Sequence, residues 1–271
     1  MKTASLPNFL ISLSFTLCAG ITMSPAIAQP AAGSPQPQPL ILWDDRPAGN
    51  WMTEAYPIGN GRLGGMAFSD PFHEHIVLNE QSLWTGDEKE TGAYQALGDL
   101  FIDLDGDQPV SGYRRLLDLD SALLRTSYTR DNIPYQQEYF CSFPDKVMAL
   151  RFTAGKKGAY SGAIRLKDAH NARTIAGGNY LEMTGQLNNG LKYQARMMVK
   201  SLGGKVTTVQ DSTGGWEIRL KKADSFTILL VAATDFSNRR SDGWRGEDPV
   251  VTNRRTLAAA SAKSYAQLLV T

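Results

Sequence analysis

The side chains best placed to do chemistry lie in Leu78-Asn79-Glu80-Gln81-Ser82-Leu83-Trp84-Thr85-Gly86, which sets an amide, a carboxylate and an indole at the exit of an apolar segment. Groups of this kind bind sugars. An aromatic ring covers the apolar C–H face of a pyranose, while amides and carboxylates pair with adjacent hydroxyls. A structural reading is open at the same residues, with Trp84 in a core and Asn79-Glu80 closing a turn. Asn79, Glu80 and Trp84 are therefore the candidate ligand-binding residues. Other constellations carry less. His73 and His75 share one strand face, but two ligands are too few for a metal and His170 is the only other histidine. Asp103, Asp105 and Asp107 sit in a glycine-containing turn without the later bidentate glutamate of a calcium loop. No nucleophile-elbow pattern appears, so a Ser-His-Asp hydrolase finds no support. The expectation is no metal and no cofactor.

The elements that must position these residues follow a period of two, broken at short intervals by Gly, Asn, Asp and Pro. Ala163–Lys167, Leu181–Thr184 and Glu217–Leu220 alternate apolar and polar residues, as strands wet on one face do. Phe226–Val231 is nearly all apolar and reads as a central strand buried on both faces. Leu63–Phe68, His75–Leu78, Leu100–Leu104, Tyr135–Ser142 and Val147–Thr153 are further strands. Gly177-Gly178-Asn179, Asn188-Asn189-Gly190, Gly203-Gly204 and Thr213-Gly214-Gly215 supply turns, as does Gly59-Asn60-Gly61. Gly64-Gly65 would let another backbone come close. The fold class is all-β: a large two-sheet antiparallel β-sandwich, too many-stranded for an immunoglobulin-like module. Asp248-Pro249 then starts a C-terminal linker helix, with Ala258, Ala262, Tyr265 and Leu269 at helical spacing. No terminator closes that stripe, which points to a chain that continues; a short helix packed on the sandwich is the alternative.

Residues 1–28 read as a cleavable signal peptide: Lys2, an apolar run from Phe9 to Ile21, and small Ala26 and Ala28 before Gln29. The run is short for a transmembrane anchor, and bulky Leu17 before Cys18 argues against lipidation. Residues 29–39 are a Pro/Gln-rich tether. The destination is secreted or periplasmic. Loss of Lys2 leaves basic and acidic residues balanced, which argues against nucleic acid or an anionic membrane as partner. Cys18 leaves with the signal, so Cys141 has no mate and packing alone must hold the core.

Leu42–Met66 and Leu78–Gly86 together resemble the N-terminal domain of glycoside hydrolase family 95. Tyr94–Leu100, Tyr113–Ala122, Glu138–Asp145, Thr234–Phe236 and the terminal helix match that family's later blocks in the same order. The resemblance implies an enzyme of α-L-fucosidases, with some α-L-galactosidases, built as an N-terminal β-sandwich, a helical linker, an (α/α)6 barrel and a C-terminal β domain. In such inverting enzymes the acid and the water-activating group stand roughly 6.5–9.5 Å apart in one pocket, and the family's catalytic residues lie in the barrel. On that basis residues 40–246 are the sandwich and 247–271 the start of the linker to a missing barrel, and no catalytic residue is carried over to this chain. The implied partners are a fucosylated oligosaccharide or polysaccharide and the barrel itself, with Asn79 to Gly86 as a loop at the rim of the active site. A stand-alone carbohydrate-binding module is the competing reading.

Overall fold

The computed structural model describes residues 39–211 and 214–270. The expected signal peptide and all of the expected tether except Pro39 lie outside the described residues. Two wholly antiparallel sheets face one another. One runs β14 (Lys205–Gln210), β15 (Trp216–Ala223), β10 (Tyr160–Asp168), β5 (Gly98–Leu104), β4 (His73–Glu80), β3 (Leu63–Ala67), β2 (Tyr56–Gly59). The other has nine strands: β1 (Ile41–Asp44), β6 (Ser111–Asp118), β7 (Leu123–Arg130), β8 (Ile133–Ser142), β9 (Val147–Ala154), β16 (Ser225–Thr234), β13 (Lys192–Leu202), β12 (Tyr180–Gln186), β11 (Thr174–Gly177). The large antiparallel sandwich expected from period-two patterning is the fold observed.

Strand β16 shows why its sequence is apolar throughout. Phe226, Ile228 and Leu230 point between the sheets, where they meet Ile76, Leu78, Leu100, Ile102 and Ile164. Phe226 stacks on Phe152 at 4.4 Å and meets the edge of Tyr160 at 5.2 Å. Leu229 and Val231 point the other way, into a second core with Leu123, Phe140, Val147 and Ala149, covered by Leu257, Ala260 and Leu268. Helices therefore roof the outer face of the nine-stranded sheet, and a strand buried on both faces loses its alternation.

Those helices correct one expectation. The apolar stripe is not one run: α1 (Pro249–Ser261) stops, and α2 (Tyr265–Leu269) restarts on a capping box in which Ser264 and Gln267 satisfy each other's backbone N–H. The restart rotates the face, so Leu257, Ala260 and Leu268 are buried, whereas Ala258, Ala262 and Leu269 are exposed. The N-cap stands as read, with Asp248 accepting from the Val250 N–H at 2.8 Å. A second correction concerns Gly65. A Cβ there would stand 2.7 Å from Ile76 Cγ2 and 3.0 Å from Met148 Cε, so the glycine makes room for side chains of the neighbouring strand and the facing sheet rather than for a backbone.

Candidate functional site

Strand β4 delivers the candidate residues. Its even-numbered side chains Glu74, Ile76, Leu78 and Glu80 point into the sandwich, and its odd-numbered ones point outward. Glu80, at the strand's exit, has no exposed side-chain surface. Its carboxylate accepts from the Ser82 N–H at 2.8 Å and the Ser82 hydroxyl at 2.7 Å, and it pairs with Arg62 Nε at 2.8 Å. Arg62 itself is 46 % exposed. Ser82 continues the chain of contacts to Thr234 Oγ1 at 2.5 Å, and Thr234 accepts from the Phe236 N–H at 3.1 Å. Glu80 thus ties the loop after β4 to the loop after β16.

Between those loops lies a cleft of about 1160 Å3, whose walls include Trp84, Glu88, Asn189, Phe236, Trp244 and Glu247. Trp84 forms an antiparallel bridge with Tyr94, which makes residues 84–94 a small hairpin. Its indole is 39 % exposed and donates to the Thr91 carbonyl at 2.5 Å. Asn79 is exposed beside the hairpin, where its side-chain oxygen accepts from the Tyr94 hydroxyl. Asn189, in the β12–β13 turn, donates to the carbonyls of Trp84 at 2.9 Å and Gly86 at 3.0 Å, fixing the hairpin's base.

The opposite wall is residues 235–247. Phe236 bridges to Arg245, and Ser237 donates to the Trp244 carbonyl at 3.0 Å. Arg245 also donates to the Asn189 carbonyl at 2.9 Å, joining both walls at the floor. Phe236 leaves 47 % of its surface exposed, so Trp84 and Phe236 both offer uncovered ring to the cleft. Glu247 accepts two hydrogen bonds from Arg255, at 2.9 and 2.7 Å, and one from Thr252 at 2.7 Å. These donors, Arg255 foremost, hold its carboxyl down at about 2. Exposed rings beside amides and fixed carboxylates suit a polyhydroxylated ligand.

The structure therefore brings Glu80 and Trp84 into the walls of one cleft, sets Asn79 beside it, and gives Glu80 an internal role. It also supplies residues that sequence reading missed: Asn189, Phe236, Trp244 and Glu247. Asn189 was legible only as a turn residue, while two aromatics in the polar stretch 235–247 were a signal that could have been followed.

The histidines lie elsewhere, on the outer face of the seven-stranded sheet. His73 Nδ1 meets Asp103 at 3.0 Å and His75 Nε2 meets Asp99 at 2.8 Å, with the His75 ring stacked between Phe68 and Phe101. Among the described residues no group of three or more His, Cys, Asp or Glu side chains is arranged to hold a metal ion.

Comparison with known proteins gives this geometry a context. Residues 42–94 and 88–239 match the family model described as Glycosyl hydrolase family 65, N-terminal domain. The chain is 27 % identical to an Aspergillus niger protein named Probable alpha-fucosidase A, over 84 % of this chain and 35 % of that protein. It is 27 % identical to Alpha-L-fucosidase 2 of Arabidopsis thaliana, over 73 % of this chain and 31 % of that protein. The chain spans about a third of the length of these curated relatives. A solved structure described as a kojibiose phosphorylase from the human microbiome superposes with a TM-score of 0.51 at 16 % identity, across 79 % of this chain and 34 % of that one, which shows a shared fold.

Proposed function

Because the chain belongs to the family of glycosyl hydrolase family 65 N-terminal domains, we propose that it is the N-terminal domain of an exported α-L-fucosidase that removes terminal α-linked L-fucose when joined to a catalytic barrel. The names of the curated relatives favour a fucoside substrate. A fold shared at 16 % identity carries no substrate with it. In this reading residues 1–28 direct export, the sandwich is a non-catalytic scaffold, and the cleft between residues 80–91 and 236–247 turns toward the glycan. The observation that carries the last point is the pair of exposed rings, Trp84 and Phe236, set in one cleft among hydrogen-bonding groups.

The test is hydrolysis of an aryl α-L-fucoside by this chain, prepared without residues 1–28, beside a longer polypeptide in which a family 95-type barrel follows the helices. Activity confined to the longer polypeptide is the expected result. Turnover by the shorter chain would place catalytic carboxylates inside the sandwich and overturn the scaffold reading. The module reading is favoured by one fact, that both walls of the cleft come from this chain; it requires the shorter chain alone to bind a fucosylated oligosaccharide.

A further inference from the structure

At the mouth of the cleft the two walls are joined by exposed groups. Glu88, in the turn of the 84–94 hairpin, meets Arg240 Nε at 2.9 Å and accepts from the Trp244 indole N–H at 3.0 Å. Both ion-pair partners face solvent, with Arg240 77 % and Glu88 51 % exposed, so the attraction is weak and screened by salt. The turn that carries Glu88 is a compact unit. Asp87 accepts from the backbone N–H groups of Lys89 at 2.7 Å and Glu90 at 2.9 Å, and its own N–H donates to the Glu90 carbonyl at 2.9 Å.

Behind the turn the hairpin narrows to a neck. A Cβ on Gly86 would stand 2.2 Å from the Thr91 carbonyl oxygen, and one on Gly92, whose φ is +67°, would stand 2.1 Å from the Gly86 nitrogen. Only glycine permits this backbone-on-backbone contact. Asn189 holds the base at Trp84 and Gly86, and the Trp84 indole holds Thr91. Everything up to the neck is anchored to the floor, while the four residues beyond it reach the other wall through Glu88.

We propose that residues 87–90 form a lip that opens and shuts the mouth of the cleft, latched by Glu88 on Arg240 and Trp244. The proposal rests on reading the cleft as glycan-facing, and it predicts that ligand entry depends on ionic strength although the ligand is an uncharged sugar. A rigid turn on an anchored neck moves as a unit, and a screened ion pair is a catch that releases readily.

Solvent exchange of the Trp244 indole N–H, followed by NMR in the ligand-free chain, tests the latch. Glu88→Ala is expected to speed that exchange about two- to fivefold, the range an exposed pair supports. Molar sodium chloride should produce a similar acceleration in the wild type, and Trp216, in β15, should be unaffected in both. Unchanged Trp244 exchange in Glu88→Ala would overturn the latch. Gating is read from the association rate of a neutral fucosylated oligosaccharide with the longer polypeptide that carries a barrel, in its wild-type and Glu88→Ala forms, and that rate should rise with the substitution; a faster indole with an unchanged association rate would overturn the gate. Absence of any glycan binding by either protein would instead sink the glycan-facing reading, because the exchange measurement needs no glycan.

Discussion

Strand β4 carries two buried glutamates on one face, Glu74 near its start and Glu80 at its end, and the sandwich treats them differently. At the Glu74 end the facing sheet closes over the carboxyl: Tyr139 of β8 meets it at 2.9 Å, and the Phe68 and Ser69 N–H groups donate at 3.1 and 3.0 Å. Tyr139 lies 2.8 Å from Gln137, and Tyr113 donates to the Ser69 carbonyl at 2.7 Å, so hydroxyls seal this corner. Among the described residues no guanidinium pairs with Glu74, and burial pushes its carboxyl up to about 8. At the Glu80 end the partners are Arg62 and the loop residue Ser82, and beyond them the cleft opens. The same side chain is a sealed polar bridge where the sheets meet and a loop organiser where they part. The candidate cleft lies at the end that the two sheets leave open, where loops rather than strands carry most of its side chains.

The two glutamates should differ most in their response to pH. Glu74 has a folded pKa above its ordinary value of 4.5, so its contribution is fully present below about pH 4.5 and is lost as pH rises through about 8. Replacing it by Gln keeps the acceptors and donors but removes the titration. Wild-type stability should therefore fall relative to Glu74→Gln across that window, by on the order of 4 kcal/mol in denaturant titrations. Parallel curves would mean that the carboxyl is charged when folded. Glu80→Ala should cost about 2–3 kcal/mol at neutral pH, since it leaves the Ser82 donors and Arg62 without their acceptor. A loss confined to cleft ligand binding, with stability intact, would deny it the organising role. The smallest change is expected from Asn189→Ala, about 1 kcal/mol for two carbonyls that water can reach, accompanied by faster exchange at the Trp84 indole.

Much of the sandwich was legible because burial on one face writes itself as alternation. Strand β10 shows this, with Ile164 and Leu166 inward and Arg165 and Lys167 outward. Strand β13 was missed although Tyr193, Ala195, Met197 and Val199 alternate on its inner face. Its outward Gln194 is fully buried too, because Asn253 of α1 donates to its carbonyl at 2.9 Å, and only the folded helix reveals that cover. Strand β1 was hidden differently: Ile41, Leu42 and Trp43 are all exposed, so no buried face marks it. At the cleft, the loop after β4 was readable from its residue types. Its opposite wall was not, since the loop after β16 lies some 150 positions away in the sequence and arrives only through the sheet order.

If the open end faces a glycan in an α-L-fucosidase, as proposed, the exposed ring of Trp84 is the side chain whose loss the reaction should feel. In a longer polypeptide carrying a catalytic barrel, Trp84→Ala should raise KM for an α-L-fucosylated oligosaccharide about tenfold, the equivalent of roughly 1.4 kcal/mol. The melting temperature should barely move, because the indole is 39 % exposed. Unchanged KM and kcat in a folded variant, or loss of folding in place of a kinetic defect, would contradict a glycan-facing open end.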